Sequence, residues 1–563
     1  MINSTRRLGA AATAALALAA ASPAAATVPA DFKARADAVL AEAYPADGPG
    51  VAVVVMDDGK IVYSAGRGLA DIEAKTPISP DTLFRMGSIT KQFSAATLLQ
   101  LVDEGKVSLS DPLSKFLPGF PKPAADATVA QLLNHTAGVQ PYTGIPGWMV
   151  EENTSRARTT EEMIALFRDL PVLSKPGEQW MYNNSGYVLV GAVIEKVTGK
   201  PWYEAVAERI ARPLGLATIR YGVGAETDPG MAVGYTIRDG APAPAQKIHM
   251  SVPHAAGALV GTVGDLAKWA QALHHGKVVR AGTYAQMIAP TRLPDGRTEP
   301  YGFGLGLSKI RKRGVIGHSG GIFGFTTDSA YLPQEDMFVA VFANSDAPAT
   351  NPGVVMQRLA GLALGDPFPS FHKAAFDVKA LEPLFGVYPV TGGGERQFYA
   401  RDGHLYLRRS GEPEMEAFAA GGNRYFFGPG SLAWFATARD ASGKPAIEMH
   451  PDGGEEAERS VRAGPIPPEP AAFPVPAAIL ETYVGRYDTP MGPLDVAIDG
   501  KRGLRATLGG QPPVSLRATS LTDFQVREID AVVAFRSEGG AVAGLVIRQG
   551  GQEIPAARAK AKP

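Results

Sequence analysis

The 563 residues hold 55 Lys and Arg against 56 Asp and Glu, a net charge of −1, with 45% hydrophobic and 20% charged side chains. A chain of this length exceeds a single core and is expected to hold roughly two to four domains, and without a polybasic tract it does not read as a nucleic-acid partner. It has no cysteine, which excludes thiol catalysis, disulfides and Cys-ligated zinc. In chain order, residues 1–26 read as a signal peptide. Arg6 and Arg7 give a basic start, Leu8 to Ala21 an apolar run, and Ala24-Ala25-Ala26 small residues for cleavage before Thr27. A periplasmic or secreted protein is the expectation. No later apolar run approaches the ~20 residues that span a bilayer.

Residues 31–44 are a short amphipathic helix, with Phe32, Ala36, Val39 and Leu40 on one face. Val51 to Met56 and Ile61 to Tyr63 are strands about the hairpin signal Asp57-Asp58-Gly59. Gln92 to Glu104 is a helix apolar nearly all round, hence buried, and Gly105 ends it. A turn follows at Asn134 to Gly138, a helix at Glu161 to Leu170, and a turn at Pro176-Gly177-Glu178. Asn184 to Thr198 is a second apolar helix ending at Gly199, and Thr262 to Leu273 a third, with Thr262 as its cap. Strands then read at Gly302–Leu307, Val315–Ser319, Thr326–Leu332 and Met337–Asn344, before a closing helix at Val354–Leu364. Strands at both ends with helices between predict one α+β domain over 31–365, a mixed sheet with a helical cluster.

Beyond the linker Asp366-Pro367-Phe368-Pro369 the helical patterns vanish. Leu381-Glu382-Pro383-Leu384-Phe385-Gly386-Val387-Tyr388 recurs 99 residues later as Leu480-Glu481-Thr482-Tyr483-Val484-Gly485-Arg486-Tyr487. Each copy continues in short alternating strands and Gly-rich turns. Two related all-β modules, small antiparallel barrels or sandwiches, are therefore expected over 377–463 and 477–560, joined by the proline-rich stretch 464–476.

Ser88 and Lys91 stand three apart at the head of the Gln92–Glu104 helix, where that spacing puts them on one face. The helix N-terminus would favour a serine alkoxide. Burial would lower the lysine pKa until a neutral amine could take the serine proton. Ser-x-x-Lys alone is a weak signal, since Ser370-Phe371-His372-Lys373 also matches but has no helix behind it. Ser88 gains weight from Tyr182-Asn183-Asn184, between a turn and a helix, and from His318-Ser319-Gly320, on a strand 136 residues later.

In order and type these three motifs resemble those of the serine penicillin-recognising hydrolases: class C β-lactamases, D,D-peptidases, D-aminopeptidases and related esterases. Asn134-His135-Thr136-Ala137-Gly138, Tyr301-Gly302-Phe303-Gly304 and Gly317-His318-Ser319-Gly320-Gly321 add to the likeness, which covers 31–365. The two following β modules match the three-domain layout of the D-aminopeptidases.

The resemblance implies a β-lactamase/transpeptidase-like fold and an acyl-enzyme on Ser88. Lys91 is then the general base. Tyr182, as phenolate or through Lys91, shuttles the proton, and Asn184 orients Lys91 and the substrate. The backbone amides of Ser88 and Gly321 form the oxyanion hole, with Gly320 beside them in the substrate-binding strand. His318 stands where β-lactamases carry lysine. A partly protonated imidazole is a weaker carboxylate anchor, and Gly321 lacks the hydroxyl often found there. Both departures favour small amides, D-amino-acid peptides or esters as substrates. One alternative is a β-lactamase or D,D-carboxypeptidase acting on cell-wall peptides. Another is a protein that binds wall fragments or β-lactams without turnover.

A rival reading takes Gly317-His318-Ser319-Gly320-Gly321 as the nucleophile elbow of an α/β-hydrolase, but the helix required after Ser319 is not in the pattern. The nine histidines form no His-Glu-x-x-His or dense cluster, so no metal or cofactor is expected. The expected partner is a small-molecule or peptide substrate, with a cell-wall origin in view. A loop such as Pro490–Leu494 entering the cleft is the role foreseen for the second β module.

Overall fold

The computed structural model describes residues 28–238, 240–468, 472–489, 492–500, 503–508, 513–526, 529, 531–549 and 552–559. The predicted signal peptide lies outside the described residues, and so do 490–491 of the loop foreseen at the cleft.

Helix α1 spans Phe32–Ala43, and strands β1 (Val51–Asp57) and β2 (Lys60–Arg67) follow. Asp58 and Gly59 between the strands take φ of 47° and 70°, the two left-handed positions of a tight hairpin turn. Helix α2 (Thr90–Asp103) comes next. Helix α3 (Asn184–Thr198) ends on left-handed Gly199, and α4 (Val263–His274) starts from Thr262, whose hydroxyl accepts the Asp265 N–H. Strands β3 (Gly306–Ile310), β4 (Arg313–Gly317), β5 (Gly320–Ile322), β6 (Phe325–Leu332) and β7 (Met337–Ala343) lead to helix α5 (Pro352–Ala363).

The strands form one antiparallel sheet in the order β3-β4-β6-β7-β1-β2, with β5 paired to β6. Val51–Asp57 and Met337–Ala343 are apolar at nearly every position because both faces of the sheet are covered. Ala52, Val54 and Met56 enter the core that holds α2, α3 and α4. Val51, Val53 and Val55 enter the one that holds α1 and α5. Phe338, Ala340 and Phe342 against Met337, Val339 and Val341 repeat that split on β7. Each Val, Met or Phe side chain so enclosed contributes ~1.5–3 kcal/mol of transfer free energy. Among the described residues no helix is long and apolar enough to cross a membrane.

Three expectations need correction. The strand expected at Gly302–Leu307 begins only at Gly306. Gly304 turns the chain at φ 71°, where a Cβ would meet the Lys91 carbonyl oxygen at 2.7 Å. The helix expected to run from Glu161 to Leu170 covers Thr160–Ala165. Helical structure does not vanish after residue 366: short helices at Val378–Leu381 and Ala477–Tyr483 open the two β modules.

Those short helices give the repeat its structural meaning. Tyr388 and Tyr487, at matching places, each donate their hydroxyl to the carbonyl four residues upstream, on Leu384 and Tyr483. Eight antiparallel strands follow in each module. In the first, Val387 meets the far end of the sheet at Gly464, its N–H reaching that carbonyl at 3.0 Å. The second is a closed barrel, whose first strand, at Tyr487, pairs with its last, at Arg558.

Candidate active site

Ser88 sits in the single 3₁₀ turn Gly87–Ile89 that runs directly into α2. The turn is held from both sides. The Met86 N–H donates to Leu259 O at 3.0 Å, and the Thr327 hydroxyl of β6 donates to Met86 O at 3.0 Å. Lys91, in the first turn of α2, is fully buried. Its Nζ lies 2.9 Å from each of three atoms: Ser88 Oγ, Asn184 Oδ1 and the carbonyl oxygen of Ala256. Burial holds its pKa well below the ordinary lysine range. A neutral amine has two N–H groups and one lone pair. The Asn184 and Ala256 oxygens accept only, so they take both N–H groups and leave the lone pair facing the Ser88 hydroxyl. The arrangement is that of a base set to receive the serine proton.

Asn184 is the first residue of α3, whose cap is Asn183; the Asn183 side chain accepts the Gly186 N–H at 3.1 Å. Asn183 is fixed in turn by its own N–H, which donates to His135 Nδ1 at 3.1 Å. His135 is therefore the buried, neutral support of its turn. Tyr182 lies just before this cap, the residue 37% exposed. Lys91 Nζ stands 4.8 Å from the ring centroid. Desolvation of the hydroxyl raises the Tyr182 pKa, and a hydrogen bond with Ser88 offsets this only in part. Tyr182 is thus a phenol at neutral pH. Of the two shuttle routes, the raised pKa disfavours a standing phenolate and leaves the one through Lys91.

His318 follows the end of β4 and is buried. Its Nδ1 lies 2.5 Å from the Ser319 carbonyl, so Nδ1 carries the hydrogen; Nε2, 2.8 Å from the Tyr301 hydroxyl, then accepts. Burial brings its pKa down to about 3. The partial protonation expected of this imidazole is therefore corrected, which leaves it a still poorer carboxylate anchor than the sequence suggested. His318 is neutral, and both its nitrogens are engaged within the protein.

Gly320 and Gly321 divide their tasks. A Cβ on Gly320 would stand 2.1 Å from Met86 O, so only glycine lets β5 close on the Ser88 turn. A Cβ on Gly321 would meet nothing within 4 Å. Ile322 and Phe325 flank a two-residue turn and pair directly, which makes them the hydrogen-bonded pair. Gly321 and Thr326 are then the non-bonded pair, and the Gly321 N–H points away from β6. The approach to the Ser88 side is close: a Cβ on Gly87 would stand 2.9 Å from the Gly321 nitrogen. The Gly321 amide thus lies beside the turn that carries Ser88.

Ser319 is exposed and is followed by strands β5 and β6 rather than a helix, which excludes the nucleophile-elbow reading. Ser370 and Lys373 lie in irregular chain. Among the described residues no cluster of His, Asp and Glu could hold a metal ion. Two parts of the site had no assigned role in the sequence. The Ala256 carbonyl acts through its backbone and leaves no residue-type signal. Tyr301 stood in a quoted motif, but its contact with His318 depends on the turn at Gly304.

Comparison with known proteins agrees with this geometry. The Beta-lactamase family model matches residues 38–361, more than half of the chain, and the chain belongs to that family of serine hydrolases. It is 24% identical over 433 residues to Penicillin-binding protein 4* of Bacillus subtilis, covering 72% of this chain and 93% of the relative. It is 28% identical over 348 residues to a D-aminopeptidase of Gluconobacter oxydans, covering 60% of this chain and 63% of that protein. Among solved structures, the octameric penicillin-binding protein homologue from Pyrococcus abyssi superposes with a TM-score of 0.54 at 26% identity, over 77% of this chain and 99% of that one. The fold is thus β-lactamase/transpeptidase-like, followed by all-β barrel modules.

Proposed function

We propose that the protein is an exported hydrolase that forms an acyl-enzyme on Ser88 and acts on small amides, D-amino-acid peptides or esters. One observation carries the reading: the buried Lys91 amine spends both N–H groups on Asn184 and Ala256 and turns its lone pair to Ser88. Lys91 takes the proton as Ser88 Oγ attacks the carbonyl carbon. The Ser88 and Gly321 amides receive the oxyanion, and donors of that kind are typically worth ~3–4 kcal/mol. Collapse of the tetrahedral adduct expels the leaving amine or alkoxide. It takes the proton from Lys91 by way of the Tyr182 hydroxyl. Water then repeats the sequence on the ester and frees Ser88.

The preference for amides and esters over carboxylate-bearing wall peptides or β-lactams is supported by the neutral, internally bonded His318. Export is supported by residues 1–26, and the N-terminal sequence of protein recovered outside the cytoplasm would test it.

Acid quenching within seconds of adding an activated acyl ester or a penicillin, then peptide mass spectrometry, tests the chemistry. The acyl group is expected on Ser88. In Ser88→Ala, turnover should fall by on the order of 10³ or more and the adduct should vanish. An adduct on Ser319, or turnover unchanged in Ser88→Ala, would sink the proposal. Adduct and turnover with the penicillin, but not with the ester, would favour the β-lactamase alternative.

A further inference from the structure

A cavity of about 360 Å³ opens beside Ser88 and Gly321, large enough for a side chain of leucine or phenylalanine size. Met149, Ile248, Ile322, Phe323 and Phe325 give it apolar walls. Among the described residues that line it, one side chain is an acid or a base: Asp346. Asp346 follows β7 and is tied to the hairpin that carries Gly321, because its Oδ2 accepts the Gly324 N–H at 2.8 Å. Among the described residues no Lys, Arg or His pairs with it, and its Oδ1 has no hydrogen-bond partner. Asp346 is exposed, so the cleft carries a carboxylate at its rim beside the apolar walls, with no Lys, Arg or His among the described residues that line it. His318, which stands where β-lactamases carry lysine, is occupied by Tyr301 and Ser319.

We propose that Asp346 is the counter-ion for a substrate ammonium, so that the pocket selects an apolar acyl group bearing a free amine and rejects an anionic one. This rests on the reading of Ser88 as the acylated residue. The apolar wall takes the side chain and the free Oδ1 takes the amine. A group carrying a carboxylate in the same place would face Asp346 with like charge.

Binding can be tested apart from catalysis. With full-length Ser88→Ala protein, calorimetry compares 2-phenylethylamine, which is cationic at neutral pH, with 2-phenylethanol and phenylacetate. The amine should bind roughly tenfold or more tightly than the alcohol, with phenylacetate weakest. In the Ser88→Ala background, Asp346→Asn keeps an acceptor for Gly324 and should reduce that difference to about twofold or less. Alcohol and amine binding equally, or an amine preference that survives Asp346→Asn, overturns the proposal. In the Ser88-containing enzyme, kcat/KM for phenylalanine p-nitroanilide over its des-amino analogue should show a ratio of roughly tenfold that collapses in Asp346→Asn. If the amine preference in binding is present and depends on Asp346 while no substrate acylates Ser88, the pocket assignment stands and the hydrolase reading fails.

Discussion

Replacing Lys91 by arginine separates charge from basicity. A guanidinium stays protonated at any usable pH and cannot accept the serine proton. Lys91→Arg should therefore match Lys91→Ala, with acylation of Ser88 slowed by on the order of 10³ or more in a single-turnover burst. Fast acylation in the arginine variant would mean that Ser88 is activated by another group. The pH profile follows from the same burial. The amine works only after its ammonium has lost a proton, and its pKa lies well below 10.5. The acylation rate should rise with pH through that lowered value and be level above it, well before the range in which an exposed lysine titrates. At this scale the sequence was readable where a motif marks a side chain: Ser88, Lys91, Tyr182 and Asn184 do lie together in the fold. It was not readable for the Ala256 carbonyl, or for the charge state of His318, because burial by α2 and the sheet is not written in local spacing. Asp346 belongs with these: a single acid after Asn344-Ser345 says nothing until the hairpin of Gly324 is folded against it.

Strand β5 is short, yet it sets the distance between the two amides proposed to receive the oxyanion. Gly320→Ala should push it off Met86 O, since the added Cβ would stand 2.1 Å from that backbone atom. The expected result is a kcat loss of on the order of 10²-fold, as for a misplaced oxyanion donor, with about 1–3 kcal/mol of destabilisation from overpacking. Gly321→Ala places its Cβ in open space and should leave the melting temperature unchanged. Calorimetric melting of the two variants beside steady-state rates would separate these outcomes, and equal effects on stability would contradict the division of tasks. Elements with an unbroken apolar pattern and a clear stop were read to within a residue or two: Asn184–Thr198 before Gly199, and Met337–Ala343 between its turns. Gly302–Leu307 was misread because alternating small and apolar residues mimic a strand, whereas contact with Lys91 O makes Gly304 a turn. The four-residue and seven-residue helices at 378–381 and 477–483 are too short for a helical period to be seen.

Across the whole molecule, resistance to acid should be uneven. His135, His254 and His318 are only 2%, 3% and 9% exposed, and all three lie in the region of the mixed sheet. Burial lowers the pKa of each: to about 3 for His254 and His318, and well below 6.5 for His135. An unfolded chain binds protons there from pH ~6.5 downward while the folded one does not. The stabilisation is therefore complete above that pH and is lost as the pH falls toward the folded values, by roughly 1 kcal/mol per pH unit for each histidine. Urea unfolding at pH 7.5 and pH 4.5 should show the region of residues 32–363 losing stability, with the barrels holding theirs. An equal loss in both would contradict this. The barrels were legible as a repeat, because Tyr388 and Tyr487 keep their places in it. The closure of each sheet was not, since pairings such as Tyr487 with Arg558 join its two ends. Distance along the chain also sets an order in time. β1 pairs with β7, so the central sheet cannot close until the 279 residues from 58 to 336 have been made. At typical synthesis rates that leaves β1 waiting roughly 15–60 s for its partner. Each barrel, built mostly from neighbouring strands, can close within seconds of its last residue. The region that carries Ser88 therefore begins first on the ribosome, yet its sheet waits longest for its partner strand.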